Sequence, residues 1–268
     1  MNKKSKDIAK KIRLHALEMT HLGKSSHIGS ILSIADIVAV LYENILNIYP
    51  KDPYNDKRDR FILSKGHAGA AIYAVLAEKK FFSKLKLKKH YSNGSNLSGH
   101  VSHKNIPGVE FSTGSLGHGL PVAAGIAFAG KIDKKKHRIF VLMSDGECDE
   151  GSTWESVLFA SHHKLSNLIA IIDYNKLQSI HSVKKTLNLE PFKEKWEAFG
   201  WRVIEIDGHN HHEIILALQR KNKSKKPTCI ISHTIKGKGV SFMENNNLWH
   251  YRSPQGEEYL RAKKELSS

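Results

Sequence analysis

An α/β fold, with a mostly parallel central sheet between two layers of helices, is what this sequence predicts. Two observations carry that expectation. Short apolar runs such as "RIFVLM" (138–143) and "NLIAIID" (167–173) lack the polar alternation of a strand with one wet face, so both their faces are expected to be buried. These runs alternate with segments of helical rhythm, and such alternation builds a parallel sheet whose crossovers share one hand.

The elements follow in order. Residues 1–50 read as two helices: Ile8, Ile12, Leu14 and Leu17 recur at roughly helical spacing, and "SIADIVAVLYENIL" (33–46) repeats the rhythm. Between them the Gly- and Ser-rich "GKSSHIGS" (23–30) reads as a loop. "RFIL" (60–63) is a short apolar run, followed by the small-residue helix "SKGHAGAAIYAVLAEK". "LPVAAGIAFAG" (120–130) is a further helix, leading into the strand at 138–143. "STWESVLFASHHK" (152–164) opens with Ser152 and has Glu155 three residues on, a capping-box signature, with Trp154, Val157 and Leu158 as one apolar face. After the strand at 167–173 come "WRVIEID" (201–207), "NHHEIILALQR" (210–220) and "TCIISHT" (228–234), read as strand, helix and strand. The expected organisation is one domain over residues 1–268 with an N-terminal helical arm and, past about residue 255, a short charged tail.

Composition narrows the function classes. The chain has 268 residues and carries 42 Lys+Arg against 26 Asp+Glu, a formal charge of +16. Lysine concentrates in "KLKLKKH" (84–90), "KIDKKKH" (131–137) and "KNKSKK" (221–226), without interleaved aromatics or a nucleic-acid reading motif. Solvated loop faces account for these runs, and no nucleic-acid partner is expected. The N-terminus is basic but lacks the apolar core and small-residue cleavage site of a signal peptide, and no run is long enough to span a bilayer. Two cysteines, Cys148 and Cys229, lie far apart without CxxC spacing, which fits a reducing compartment. The expectation is a cytoplasmic protein with no membrane partner.

Against this basic background, Asp145, Glu147, Asp149 and Glu150 crowd into "DGECDE" at the end of a strand. Like charges so close repel one another unless something positive sits among them. Asp145-Gly146 closes one strand and Asn175 the next, with residues 147–174 supplying a loop, a helix and a strand between them. Both side chains are therefore expected at one rim, beyond the carboxyl ends of the strands, where ligands of such sheets bind. A carboxylate, an amide oxygen and a nearby backbone carbonyl form a hard-oxygen site suited to Mg²⁺, which shares its shell with ligand phosphates. Gly146 allows backbone to approach an anion, and the start of the following helix adds N–H donors.

"SDGE" followed by "IIDYNKLQ" resembles the thiamine-diphosphate motif of the transketolase family. "SSHIGS", "RDRFILSKGHAGAAIY", "LSGHVSH", "PGVEFSTGSLGHGLPVAAGIAFA", "IDGHN" and "HTIKGKGVSF" resemble further segments of that family, in its order, from about residue 10 to 255. The resemblance implies a three-layer α/β/α thiamine-diphosphate-binding fold. It covers only the diphosphate-binding half of a full transketolase; the pyrimidine-binding and C-terminal domains have no counterpart in this sequence. What it implies is the N-terminal subunit of a split transketolase, working with a C-terminal subunit in a heterotetramer of two plus two.

Carried over position by position, the resemblance implies metal ligands at Asp145, Asn175 and the backbone oxygen of Leu177, for Mg²⁺ or alternatively Ca²⁺ or Mn²⁺. Gly114, Leu116 and Gly146 would line the diphosphate of thiamine diphosphate, with His67 beside it. Glu150 matches a glutamate that joins an acid network across the subunit interface; Glu155 is a further candidate for that network, while Glu147 and Asp149 are left as loop acids. His27, His67, His100 and His250 match a channel for a sugar or sugar phosphate, where imidazoles donate or accept hydrogen bonds near neutral pH. His162, His163, His211 and His212 fall on expected helices. "GHNHHE" does not fit a zinc spacing, and Asn210 with Glu213 reads instead as a helix cap. His103 and His118 are undecided, and Cys148 reads as a buried spectator thiol.

The sequence also departs from the family pattern. Ser144 replaces the usual first Gly of the motif, so its φ must stay negative. Ser26 and Ser30 stand where Gly is common, His118 where Gln is usual, and "GHVSH" replaces Gly-His-Pro. The implied activity is ketol transfer from a ketose, expected to be phosphorylated, to an aldose. Two rivals stand beside it: a subunit of another thiamine enzyme, of the 2-oxoacid dehydrogenase or deoxyxylulose-phosphate-synthase type, and a non-catalytic basic binding module.

Overall fold

The computed structural model describes residues 2–219, 222 and 224–268. Among these, β1 (Arg60–Leu63), β2 (Ile139–Ser144), β3 (Leu168–Tyr174), β4 (Arg202–Asp207) and β5 (Thr228–His233) form one sheet of order β1-β2-β3-β5-β4. Every pairing is parallel, and Ser144 at the end of β2 stands beside Asp173 in β3. Alternate side chains serve two cores. Phe140 and Leu142 of β2 face one hydrophobic cluster, while Ile139, Val141 and Met143 face the other. All five are fully buried, each stabilising the fold by about 1.5–3 kcal/mol, which is why the strand is an unbroken apolar run.

One face is covered by α1 (Asn2–Gly23), α2 (Ile28–Ser33), α3 (Ala35–Val40), α4 (Gly69–Glu78), α9 (His211–Gln219) and α11 (Gly256–Ser267). The other is covered by α5 (Gly119–Ile132), α6 (Gly151–His162) and α8 (Phe192–Ala198). Two single-turn helices, α7 (Val183–Thr186) and α10 (Leu248–Tyr251), complete the set. The fold is thus the expected three-layer α/β/α arrangement.

Several local expectations are corrected. The N-terminal helix packs closely on the sheet's first face, where Ala9, Ile12, Ala16, Leu17 and Met19 are buried in the first core. Past residue 255 the chain is not a bare charged tail but α11, which buries Ala262 and Leu266 in the same core. α2 begins at Ile28, inside the stretch expected to be loop, and the single helix expected over 33–46 is broken at Ile34. Its last turn, Leu41–Ile45, widens to a π-turn.

The helix after the acid cluster also starts differently. Glu150, not Ser152, is the N-cap of α6, and Ser152 donates from Oγ to the Gly117 carbonyl at 2.8 Å. Ser152 and Glu155 therefore form no capping box. Leu158 leaves the expected apolar face and is 59 % exposed, with Val157 buried beside it.

"GHNHHE" forms an ionic hub. Asn210 Oδ1 accepts from the His212 and Glu213 N–H groups, the cap read from the sequence. His209 and His211 both bind Asp36 of α3, at 2.8 and 3.0 Å, and Arg13 of α1 binds the same carboxylate with two nitrogens at 3.1 and 2.6 Å. The Ile235 N–H donates to His209 Nε2, so the proton on His209 sits on Nδ1 and points at Asp36. Among the described residues no helix is long and apolar enough to cross a membrane.

Candidate active site

Parallel strands deliver their following residues to one rim. Asp145 follows β2, Asn175 follows β3, Lys65 follows β1 and Lys236 comes three residues after β5. They surround a cavity of about 250 Å³, and Gly114, Leu116, Gly146 and Leu177 lie on its wall. So do His27, His67, His100 and His250, although they come from four separate stretches of chain. Of the residues to which the resemblance assigns a metal, cofactor or channel role or a place in the interface acid network, Glu150 and the further candidate Glu155 lie off this wall. Glu150 is exposed at the start of α6, and its carboxylate has no partner among the described residues.

The floor is a chain of buried charges. The Lys65 ammonium pairs with Asp173, both essentially excluded from solvent. Asp173 also accepts from Ser33 Oγ and from Asn175 Nδ2 at 3.0 Å. Burial pushes the Asp173 carboxyl up, but Lys65, Ser33 and Thr234 together hold it below its ordinary value. Asp145 is less well compensated. Burial, then the neighbouring Asp173 charge, raises it to about 7, although its oxygens accept from the Gly146 and Lys176 N–H groups at 2.8 and 2.7 Å. Asn175 Oδ1 accepts from the Leu177 N–H at 3.0 Å, and the Leu177 carbonyl accepts from Lys236 Nζ at 3.1 Å. Burial, then Lys65, lowers the Lys236 ammonium to about 8.

Glu147, expected to be an idle loop acid, is fully buried. It accepts from Ser64 Oγ, from the Gly117 N–H at 3.2 Å and from the Ser144 N–H at 3.0 Å, tying together the ends of β1 and β2 and the 114–117 loop. Burial raises its pKa. Ser144 has φ −88°, so the serine fits where φ had to be negative. Asp149 accepts from Gln178 Nε2 at 2.7 Å, which clips the loop after β2 to the loop after β3. Cys148 is buried and its thiol is pushed well up by burial, leaving it neutral and unreactive.

The histidines cluster around His27. Its ring centroid lies 5.2 Å from His67, 5.5 Å from His100 and 4.9 Å from His250. His27 has φ 77°, a left-handed conformation uncommon outside glycine. Its N–H donates to the His250 carbonyl at 2.8 Å, which helps hold it there. Burial is the largest cause lowering all four: His27 to about 4, His250 to about 3, His67 well below its usual value and His100 in the same direction. Each ring is therefore neutral near pH 7, with one donor and one acceptor nitrogen. His250 Nδ1 is buried and has no hydrogen-bond partner among the described residues.

Other residues of interest fall outside the cavity. His118 is exposed and contacts the Leu116 carbonyl at 3.0 Å; His103 is exposed against Ser112 at 2.6 Å. Glu155 is exposed on α6. The sequence does not single out Lys65, Lys236, Gln178 and Tyr251, which share the cavity wall. For the two lysines a signal exists, since each lies just past a strand end, but among 42 Lys+Arg it does not stand out.

The family described as "Transketolase, thiamine diphosphate binding domain" matches residues 4–267. The chain is 42% identical over 260 residues to an apulose-4-phosphate transketolase subunit from Phocaeicola vulgatus, covering 97% of this chain and 92% of that protein. It is 40% identical over 256 residues to the 6-deoxy-6-sulfo-D-fructose transketolase subunit SqwG of a Clostridium species, covering 94% and 93%. Human transketolase is 40% identical over 247 residues, 91% of this chain but 39% of that one. Among solved structures, transketolase from Campylobacter jejuni superposes with a TM-score of 0.91 at 34% identity, covering 97% of this chain and 43% of that one. The chain thus spans about two fifths of the full-length proteins and nearly all of the two shorter ones.

Proposed function

The chain belongs to the transketolase family as its diphosphate-binding part, and from that premise we propose that it is one subunit of a ketol-transferring enzyme. The reaction moves a two-carbon unit from a ketose to an aldose. The observation that carries the reading is the convergence of four neutral histidines on a cavity floored by Asp145, Asn175 and Leu177. Both split relatives bear the names of anionic sugars, and the +16 charge of the chain suits an anionic donor as well.

The residues fit thiamine diphosphate and a divalent cation. Asp145, the Asn175 amide oxygen and the Leu177 carbonyl would hold Mg²⁺, or Ca²⁺ or Mn²⁺, through hard oxygens. Asp145, raised by burial and by Asp173, is the kind of carboxylate a cation would restore to its charged form. Gly114 and Gly146 lie on the same wall, where a Cβ on Gly114 would meet the His100 ring at an ordinary 3.4 Å and one on Gly146 would come 3.3 Å from Gln178. When bound, thiamine diphosphate supplies the nucleophilic carbon and the electron sink.

This chain supplies position and protons. His27, His67, His100 and His250 hydrogen-bond the hydroxyls and carbonyl of the sugar. Because each enters neutral, it can take a proton from one hydroxyl and return it to another. Lys65 and Lys236 keep the floor positive toward a diphosphate.

The cavity, at about 250 Å³, is smaller than a pocket that encloses a whole ligand of this size, roughly 300–1,000 Å³. A second subunit completing its wall is part of the proposal, in a cytoplasmic heterotetramer of two plus two, with Glu150 facing across the interface. The purified chain, saturated with Mg²⁺ and thiamine diphosphate, is expected to show no ketol transfer until the partner subunit is added, when light scattering gives the assembled mass. Substantial turnover by the isolated chain refutes the shared-site reading.

A further inference from the structure

One large side chain on the cavity wall has no task in the reading above. Tyr251 ends α10 and is 64 % exposed, whereas Asp145 on the same wall is 1 % exposed. The cavity therefore runs from a buried floor of charged groups to a rim that carries this phenol. Among the described residues the Tyr251 hydroxyl has no hydrogen-bond partner.

An exposed tyrosine is ordinary taken alone. This one is fixed in place. Trp249 of the same turn is 3 % exposed and donates from Nε1 to the Phe242 carbonyl at 3.1 Å. Asn246 Oδ1 accepts from the Leu248 N–H at 3.0 Å, and the His250 carbonyl accepts from the His27 N–H. On the far side the Arg252 guanidinium lies 5.6 Å over the Trp249 ring and pairs with Glu258. So α10 is anchored on both flanks. The Tyr251 ring is held edge-on to His250, 4.8 Å between centroids, and 6.4 Å from His27.

Its chemistry differs from the rest of the channel. The histidines offer polar nitrogens, which suit hydroxyls and a carbonyl. Tyr251 offers a broad apolar face together with a free hydroxyl, the pairing that recognises a carbon chain bearing both C–H and O–H groups. A sugar whose reacting end lies among the histidines has its remote carbons at the rim. We infer that Tyr251 is the specificity-determining residue for the part of the donor sugar beyond the bond that breaks, stacking on its C–H face and hydrogen-bonding one of its hydroxyls. The inference rests on the proposed ketol transfer.

The test uses the chain assembled with its partner and two donors. One is a ketose phosphate of five or six carbons. The other is hydroxypyruvate, which carries only a carboxylate beyond the bond that breaks. Tyr251→Ala is expected to lower kcat/KM for the ketose about tenfold, chiefly through KM, and so to shift the preference about tenfold toward hydroxypyruvate. Tyr251→Phe, which keeps the ring, is expected to recover the greater part of that loss. Equal losses with both donors, or an unshifted preference in Tyr251→Ala, overturn the inference and leave ketol transfer standing. No transfer by the wild-type pair from either donor overturns both readings.

Discussion

Two buried carboxylates in this chain, Asp36 and Asp145, meet opposite environments. Asp36 receives two nitrogens of Arg13 and one each from His209 and His211. Burial pushes its pKa up, but His209, His211 and Arg13 together hold it well below the ordinary value. Asp145 receives only two backbone N–H groups beside another acid, and stands near 7. The first carboxylate has its countercharge built in and joins three helices. The second has its countercharge left out, on the wall of a cavity. A buried acid completed by its own chain is part of the scaffold, and one left incomplete beside a cavity is a place for a ligand.

The contrast breaks most sharply at Asp36. Asp36→Ala leaves the Arg13 guanidinium buried without its partner, and is expected to cost about 3–5 kcal/mol in denaturant unfolding. An effect under about 1 kcal/mol would put Asp36 on the same footing as a surface acid. Its pH dependence has a definite sign. A carboxyl depressed in the folded state stabilises the fold above its unfolded pKa, near 3.9, and that contribution fades as pH falls through the folded value. The stability gap between wild type and Asp36→Asn is therefore expected to be level near neutrality and to close only below about pH 4.

Asp145→Ala sharpens the other side. The fold is expected to survive, because no ion pair is broken. Metal-dependent thiamine-diphosphate affinity of the assembled enzyme is expected to fall by about 100-fold or more, given that even outer-shell changes cost about 10–100-fold. Calorimetry with the partner present reads this directly, and an unchanged affinity would separate Asp145 from the metal. Smaller again are His100→Ala and His250→Ala, which are expected to lower turnover or weaken donor binding by about 10- to 100-fold through the loss of a hydrogen bond. Cofactor affinity is expected to hold, since in the proposed reading these rings line the sugar side. Equal losses in donor kinetics and in cofactor titration would place them on the wrong side of the cavity.

Sequence and structure agree where local pattern and tertiary environment impose the same demand. β2 and β3 are buried on both faces, so their positions are apolar up to Ser144 and Asp173 near the carboxyl ends, and their limits lie within a residue or so of the apolar runs. The carboxyl ends of those strands then locate Asp145 and Asn175 without further information. Where partners come from distant segments, the sequence is mute. Asp36 looks like a polar interruption of "SIADIVAV" until Arg13, His209 and His211 are brought to it. Glu147 looks like its exposed neighbour Glu150 until Ser64 and the 114–117 loop close over it. Leu158 has the spacing of a core residue, yet it lies on the outer side of α6 and is exposed. α11 is hidden by its charge, because two buried residues, Ala262 and Leu266, are enough to seat it.

The hydrogen bond from the His27 N–H to the His250 carbonyl ties the beginning of the polypeptide to its last stretch. Translation separates the two ends in time: at roughly 5–20 residues per second, something on the order of ten to forty seconds passes between the synthesis of the one and of the other. For that interval the strained turn at residue 27 lacks this anchor. A message broken before the codons for α10 would still encode all five strands, but its product would leave one wall of the channel unbuilt. Such a product would keep the sequence of its sheet but lack His250 and the core contacts of Trp249 and α11, and in the proposed reading it would not hold a sugar.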